Sequence, residues 1–271
     1  MRVAGVCGWP IAQSKSPLIH RFWLSALGLE GAYVPLALHP VDARAAFRNL
    51  GRMGFVGANV TVPLKGEALA AADRVDPCAR EVGAANLLLV TDSALVARNT
   101  DREGFAAPLR ARGVAPRRAL LIGAGGAARA VVSALRDLGA QELTIVNRSA
   151  GRARELADLW PGARVLALTP GLILPPAELV VNASSLGMAG QPPLDVRLDD
   201  LPDEALVYDL VYAPLETGLL AAARARGLGT IDGLEMLVGQ AAPAFEAFFG
   251  VAAPRARDAE LRALLTGGKG S

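Results

Sequence analysis

The sequence predicts an α/β fold whose second half is a doubly wound parallel sheet. Two observations carry that prediction. Short apolar runs recur at 119–122, 142–146, 164–168, 178–181 and 205–208, as expected of strands covered on both faces in successive βα units. The first run passes directly into Gly123, Gly125 and Gly126, and then into a helical pattern with Val131, Leu135 and Leu138 on one face.

A length of 271 residues allows one large or two modest domains. With 52% apolar and 20% charged residues, the chain can bury a substantial core and is not disordered. Net charge is only +2 and the basic residues are scattered, so neither nucleic acid nor an anionic membrane is an expected partner. Cys7 and Cys78 lie far apart, without metal-ligand or redox spacing, which fits free thiols in a reducing compartment. The N-terminus lacks the apolar region of a signal peptide, and no apolar stretch is long enough to span a bilayer. A cytoplasmic protein is expected.

Residues 2–7 alternate loosely and end in Gly8-Trp9-Pro10, a first strand entering a loop. Pro17 suits the first position of a helix over 18–27 closed by Gly28, with Ser16 as its N-cap. Ser14 has no such duty, and two hydroxyls on one loop also suit the grip of a small anion, a reading second to the cap on these residues alone. A strand at 33–38 and a helix at 41–53 follow. In Asn59-Val60-Thr61-Val62 polar residues alternate with valines, so the valines are expected in the core and Asn59 and Thr61 on the other side, towards Lys65. Lysine is rare: apart from Lys65 there are only Lys15 and Lys269, while arginine is used freely. That points to a need for a titratable ammonium, which arginine cannot supply. Gly83-Ala84-Ala85-Asn86 and Asn99-Thr100-Asp101 form two further polar clusters, each at the end of an apolar strand, 87–90 and 94–97.

A helix over 101–112 and a link over 113–118 lead to the glycine strand. Strand, tight turn and helix together aim unpaired N–H groups and the positive end of the helix dipole at a pyrophosphate. Gly123 permits the turn, Gly125 lets the backbone approach the phosphates, and Ala128 is small where the helix presses on its strand. After the second strand comes Asn147-Arg148-Ser149, with Arg152 a short turn later, where an NAD site carries an acid for the ribose 2′-hydroxyl. No carboxylate there repels a 2′-phosphate and a guanidinium can hold one, so NADP(H) is expected over NAD(H). Asn182-Ala183-Ser184 lies at the C-terminal end of another strand, where open α/β sheets bind ligands. Asp209-Leu210-Val211-Tyr212 ends the next, with Pro214 starting a helix. A long helix opens at Gly233, a last one covers 258–265, and 267–271 is a loose tail. His20, in an apolar-faced helix, and His39, before a proline, read as structural. With no His, Cys or carboxylate cluster at ligand spacing, no metal is expected.

Taken in order, these motifs resemble the shikimate/quinate dehydrogenase family nearly end to end. The resemblance rests on Ser14-Lys15-Ser16-Pro17, Gly57-x-Asn59-Val60-Thr61-Val62-Pro63-x-Lys65, Gly83-Ala84-x-Asn86 and Asn99-Thr100-Asp101. It continues through Gly123-Ala124-Gly125-Gly126-Ala127-x-Arg129-Ala130, Asn147-Arg148-Ser149-x-x-Arg152 and Gly233-x-x-Met236-Leu237-x-x-Gln240. It implies two α/β domains: an N-terminal substrate domain (1–101 and 234–271) and a Rossmann-type NADP-binding domain (102–233). C-terminal helices return to the first domain. The implied activity is NADPH-dependent, reversible reduction of 3-dehydroshikimate to shikimate in aromatic amino acid biosynthesis, by a monomer or homodimer acting on a small molecule.

The matched positions imply roles one by one. Ser14 and Ser16 resemble the hydroxyls that hold the substrate carboxylate. Asn59, Thr61, Asn86, Asp101 and Gln240 resemble the groups that bind the ring hydroxyls, and Tyr212 a tyrosine near the substrate. Lys65 with Asp101 resembles the catalytic pair. For the cofactor the resemblance points to Gly123, Ala124, Gly125, Gly126, Ala127, Asn147, Arg148, Ser149, Arg152, Asn182, Ser184, Gly233 and Met236. Three positions depart from the family pattern: Gln13 for a common histidine, Leu87 for a usual threonine, and Arg98 for a frequent glycine. Quinate or an amino analogue of shikimate is the nearest alternative substrate, and Ser16, in place of a threonine, leans towards shikimate. A folate-methylene type dehydrogenase leaves the Ser14/Ser16 and Asn59/Thr61/Lys65 blocks unexplained. A non-catalytic NADP-binding sensor has little reason to keep Lys65 with Asp101.

Overall fold

The structure, a computed structural model, describes residues 1–267. Of the tail expected at 267–271, positions 268–271, with Lys269, lie outside the described residues. The chain divides into two compact units, Met1–Asp101 with the segment from Val238 onward, and Arg102–Leu237.

The first unit opens with strand β1 (Arg2–Gly8), helix α1 (Ser16–Ala26), β2 (Gly31–Ala37), α2 (Ala43–Asn49) and β3 (Phe55–Val60). Helix α3 (Lys65–Ala71), β4 (Arg74–Val75), α4 (Pro77–Val82), β5 (Leu87–Val90) and β6 (Leu95–Arg98) follow. The strands form one sheet in the order β2-β1-β3-β5-β6-β4. Strand β1 is parallel to both its neighbours, whereas β5 is antiparallel to β3 and β6. One face lies under α2 and α3, where Cys7, Ala58, Val60 and Leu88 pack with Phe47, Leu50, Leu64 and Ala68. The strand period that sends Ala58 and Val60 to that side sends Asn59 to the other.

Several expectations need correction. Ser16 is the first residue of α1, not its N-cap; Lys15 holds the cap position and makes no side-chain cap bond. The Ser14 hydroxyl accepts from the Ser16 N–H (3.3 Å), so it is Ser14 that meets a free N–H of the first turn of α1. Val62 is 66% exposed, because β3 ends at Val60 and the alternation with it. The single helix expected at 41–53 is a 3₁₀ turn, Pro40–Asp42, followed by α2. Helices α3 and α4 were not expected. His20 is fully buried, as a structural histidine should be, and stacks on Tyr33 (centroids 3.8 Å apart, 6° between planes) amid Trp23, Phe245 and Phe248.

Helix α5 (Asp101–Ala111) leads into the second unit. There β7 (Arg118–Ile122), α6 (Gly126–Asp137), β8 (Glu142–Asn147), α7 (Ala150–Ala157) and β9 (Arg164–Ala167) come first. The short β10 (Leu172–Ile173), β11 (Leu179–Asn182), the short β12 (Val196–Arg197), β13 (Leu206–Asp209), α8 (Gly218–Ala225) and β14 (Gly229–Ile231) complete it. The main sheet runs β14-β13-β11-β7-β8-β9 with every pairing parallel. Strand β7 is fully buried from Ala119 to Ile122. Its Ala119 and Leu121 enter one core with Phe105, Val131 and Tyr208, and its Leu120 and Ile122 enter another with Val207 and Leu220. β10 and β12 pair separately, parallel to each other. Pro214 does not start a helix: α8 begins at Gly218, where the Thr217 hydroxyl accepts from the Leu220 N–H (3.2 Å). Two helices close the chain, α9 (Gly233–Phe249) and α10 (Asp258–Leu265).

From β7 the chain winds one way through β8 and β9, then returns to β11 and winds the other way through β13 and β14. The ends of β7 and β11 therefore flank the topological switch point, where such sheets bind ligands. Gly123 sits there with φ +108°, and a Cβ on it would come within 2.8 Å of the Ser184 amide nitrogen and 2.9 Å of the Ala183 carbonyl carbon. Both neighbours are backbone and cannot swing aside.

Two outcomes follow from this packing. Gly123→Ala should cost at least about 1–3 kcal/mol through its backbone conformation, read as a lower denaturation midpoint; an unchanged midpoint would contradict both the conformational strain and the clash with 183–184. For His20, burial lowers the folded pKa from 6.5 to about 3. The native state then refuses a proton that the unfolded chain accepts, so this contribution is complete above pH 6.5 and is lost as pH falls towards 3. Compared with His20→Leu, the wild type should lose extra stability between pH 6 and 4 at about 1.4 kcal/mol per pH unit. Parallel stability curves for the two proteins would contradict the assignment.

Candidate active site

Lys65 is the first residue of α3, and Asp101 the first of α5. Their side chains meet, Nζ to Oδ2, at 2.5 Å, with side-chain exposures of 13% and 7%. Asp101 is fixed at its other oxygen, where Oδ1 accepts from Asn86 Nδ2 (2.8 Å). Its own N–H is taken by the Asn99 side-chain oxygen (3.0 Å), and Asn99 Nδ2 donates to the Ala84 carbonyl (2.9 Å). The carboxylate that receives the lysine is thus held by the ends of two loops.

Asn86 is the hub of this cluster. Its Oδ1 accepts from the Thr100 N–H (2.7 Å), which settles which end of the amide faces Asp101. Its Nδ2 donates to Asp101, to Thr100 Oγ1 (2.9 Å) and, at 3.4 Å, to Gln240 Oε1 on α9. Its backbone carbonyl accepts from both the Val60 N–H (2.8 Å) and Asn59 Nδ2 (3.1 Å). Asn59 Oδ1 in turn accepts from the Tyr33 hydroxyl (2.7 Å). Asn59, Asn86, Asp101 and Gln240 are all buried, whereas Lys65, Ser14 and Thr61 are half-buried. The first unit therefore brings together Lys65, Asp101, Asn86, Asn59 and Gln240 as one polar network, and pairs Ser14, on the loop before α1, with Ser16, the first residue of that helix. Thr61 sits just past β3, its N–H donating to the Cys7 carbonyl (2.9 Å). Lys15, between the two serines, donates instead to the Leu265 carbonyl at the end of α10 (2.6 Å).

The second unit carries the residues expected at a dinucleotide. Gly125 is the N-cap of α6, with open space where a Cβ would stand, and Gly126 begins the helix. Ala124 and Ala127 are half-buried beside it, and Ala128 is fully buried at the strand. Arg148, just past β8, and Arg152, in the first turn of α7, are exposed, and Asn147 Nδ2 donates to the Ser149 carbonyl (2.9 Å). Ser149 caps α7, its hydroxyl accepting from the Arg152 N–H (3.4 Å). Glycines at the turn, an uncovered helix N-terminus and guanidinium groups without a carboxylate at 147–149 fit a phosphorylated dinucleotide.

Beside the switch point, Asn182 Oδ1 accepts from both the N–H and hydroxyl of Ser184 (3.1 and 2.7 Å). Asn182 Nδ2 donates to Asp209 Oδ1 (2.9 Å), which also accepts from the Val211 N–H, while Asp209 Oδ2 accepts from Thr217 (2.6 Å). Asp209 is fully buried, and burial raises its pKa against the pull of these three donors. Tyr212, just past β13, is half-buried and its phenol is pushed upward by burial. Gly233 has a steric reason to be glycine: a Cβ would lie 2.5 Å from the Leu210 carbonyl oxygen. Met236 is 7% exposed and packs in the core of this unit.

Sequence reasoning missed Asp209, Thr100 and Tyr33 as site-forming residues. Thr100 and Asp209 stood inside motifs already singled out at strand ends, which was the available signal. Tyr33 gave none, since its partner Asn59 is 26 residues away. Among the described residues no three His, Cys, Asp or Glu side chains group as a metal site, and no helix is long and apolar enough to cross a membrane.

Known proteins bear on this arrangement directly. Residues 6–88 match the family model of the shikimate dehydrogenase substrate binding domain, 107–184 that of shikimate / quinate 5-dehydrogenase, and 233–260 that of the shikimate 5′-dehydrogenase C-terminal domain. The chain is 50% identical to shikimate dehydrogenase (NADP(+)) of Rhodospirillum rubrum, over 98% of this chain and 97% of that one. It is 52% identical to the same enzyme of Sphingopyxis alaskensis, over 97% and 96%. Among solved structures, shikimate 5-dehydrogenase of Thermus thermophilus in complex with NADP(H) and shikimate superposes with a TM-score of 0.86. It is 36% identical, with 98% of this chain and 100% of that chain covered. With all three family models in chain order and half of the residues shared with full-length relatives, this chain belongs to the shikimate dehydrogenase family.

Proposed function

We propose that this chain reduces 3-dehydroshikimate to shikimate with NADPH, reversibly, as a step of aromatic amino acid biosynthesis. The observation that carries this reading is the Lys65–Asp101 pair, a nearly buried ammonium held by a carboxylate within a ring of amides suited to hydroxyl groups.

NADPH, when bound, supplies the hydride that the ketone carbon accepts, and leaves as NADP⁺. As that carbon gains the hydride, negative charge grows on the carbonyl oxygen. Lys65 Nζ gives that oxygen a proton, so the product is the neutral alcohol and the lysine is left as the amine, to be reprotonated from water. A positioned acid of this kind is worth about 10²–10⁴-fold in rate. Asp101 accepts from Lys65 and so fixes the direction in which the ammonium points. Asn86, its amide engaged by Thr100 and Asp101, keeps Asp101 in place. Ser14 and Ser16 hold the substrate carboxylate, and Asn59, Thr61, Gln240 and Tyr212 its hydroxyl side. In the second unit Gly123 to Ala127 face the pyrophosphate, Arg148 and Arg152 the 2′-phosphate, and Asn182, Ser184, Gly233 and Met236 line the rest of the cofactor site. For Ser149 the cap of α7 supports an indirect part, through the position of Arg148.

Quinate remains the second substrate to test, because the matched family description spans both acids. Absorbance at 340 nm should rise with shikimate and NADP⁺, and rise far more slowly with quinate or with NAD⁺. Equal rates with quinate would make this a dual-substrate enzyme, and no rate with either acid would refute the reading. Arg148→Ala should raise KM for NADP⁺ about 10–100-fold and leave KM for NAD⁺ unchanged; an unchanged preference would remove Arg148 from the phosphate site.

A further inference from the structure

We propose that Lys15 is a positioning residue of the substrate site, tying the Ser14–Ser16 segment to the C-terminal end of α10. The inference rests on the reading that Ser14 and Ser16 hold the substrate carboxylate. Lys15 stands between the two serines and is half-buried. Its backbone belongs to α1, since its carbonyl accepts from the Leu18 and Ile19 N–H groups (both 3.1 Å). Its side chain reaches out of that helix, and Nζ donates to the Leu265 carbonyl at 2.6 Å, across 250 positions of sequence. Ser14, by contrast, is held by local bonds, its N–H on the Ile11 carbonyl (3.0 Å) and its hydroxyl under the Ser16 N–H (3.3 Å). Of these three bonds only that of Lys15 reaches a distant element.

The acceptor is one that needs a donor, because the last carbonyls of a helix have no partner within it. In α10 those of Arg262 and Ala263 accept from the Thr266 hydroxyl (3.0 and 3.2 Å), and that of Leu264 from the Gly267 N–H (3.4 Å). Leu265 receives its donor from the opposite end of the chain, and a cation suits that end of a helix. The helix is also a firm anchor. Leu261 and Leu265 are buried, and the Arg257 guanidinium, just before α10, lies over the Phe22 ring of α1, 5.1 Å from its centroid. With its ammonium engaged there, Lys15 sets the position of the serines and leaves their hydroxyls to meet the substrate. Without the bond, ordering of the segment falls to the bound substrate, which lowers affinity.

Lys15→Met keeps an unbranched apolar stem and removes the donor. It should raise KM for shikimate about tenfold, with kcat and KM for NADP⁺ within about threefold, and Lys15→Arg should restore most of the loss. The rise should persist in about 0.5 M salt, where charges more than a few ångströms apart are screened. Because coupling is reciprocal, saturating shikimate should slow hydrogen exchange at the Thr266 amide in the wild type and leave it unchanged in Lys15→Met. A lysine serving only stability would lower the melting temperature and leave KM unmoved, which overturns the inference. A rise in KM that vanishes in salt overturns it too, since Lys15 would then act only as a charge. Faster exchange at Thr266 on adding shikimate would show the ammonium leaving Leu265 for the substrate, and is equally fatal. An unmoved KM in Lys15→Met beside a raised KM in Ser14→Ala and Ser16→Ala refutes the inference while the substrate reading stands. Unmoved KM in both serine variants would refute that reading itself, and the inference with it.

Discussion

The bond between Lys65 and Asp101 is the constraint around which the first unit is built. Taking both charges out of water costs several kcal/mol per ion, and replacing such pairs by apolar side chains is often neutral or stabilising. Nor does local helix physics favour the lysine, which stands in the first turn of α3, where the dipole prefers an acid. Lys15 offers the contrast: its ammonium meets a carbonyl at the C-terminal end of α10, the end at which a cation is stabilised. One lysine is thus explained by the helix it touches, and the other only by the chemistry it can perform. The surrounding amides make the pair possible, because each oxygen of Asp101 has a donor and each end of Asn86 is assigned.

A parallel logic governs the second unit, with a buried carboxylate and no lysine. Asp209 ties together the end of β11, the turn after β13 and the cap of α8 through Asn182, Val211 and Thr217. That fixes Asn182, which in turn holds Ser184 against the Gly123 turn. The glycine-rich loop is therefore shaped from behind as well as by its own residues. The backbone of 183–184 occupies the space that any side chain at 123 would need.

How much of this was legible in the sequence follows from the range of the interaction involved. Strand β7, its glycine turn and α6 are specified by consecutive residues, and the last helix, 258–265, was read to the residue. Where the signal was weak, the reading failed: α3 starts at Lys65 behind Leu64, which makes no side-chain cap. Helix α4 did carry a signal that went unused, since Asp76 before Pro77 caps Ala79 (2.6 Å). Ser16 fell inside α1, one residue past the Lys15 cap position, because a cap is decided by backbone geometry one or two residues wide. Val62 left the valine alternation because β3 ends before it. Contacts between segments distant in sequence, such as Tyr33 with Asn59 or Asn86 with Gln240, leave no local trace. The identities of the candidate site residues came from motif resemblance, while their mutual bonds emerged only from the fold.

The central claim is that the Lys65 ammonium supplies the proton. Steady-state rates of shikimate oxidation by NADP⁺ in a folded Lys65→Ala variant test it most directly. The account predicts that kcat falls at least about 10²-fold while KM for shikimate stays within a few-fold. Near-normal turnover would contradict it and would move the proton transfer to another group.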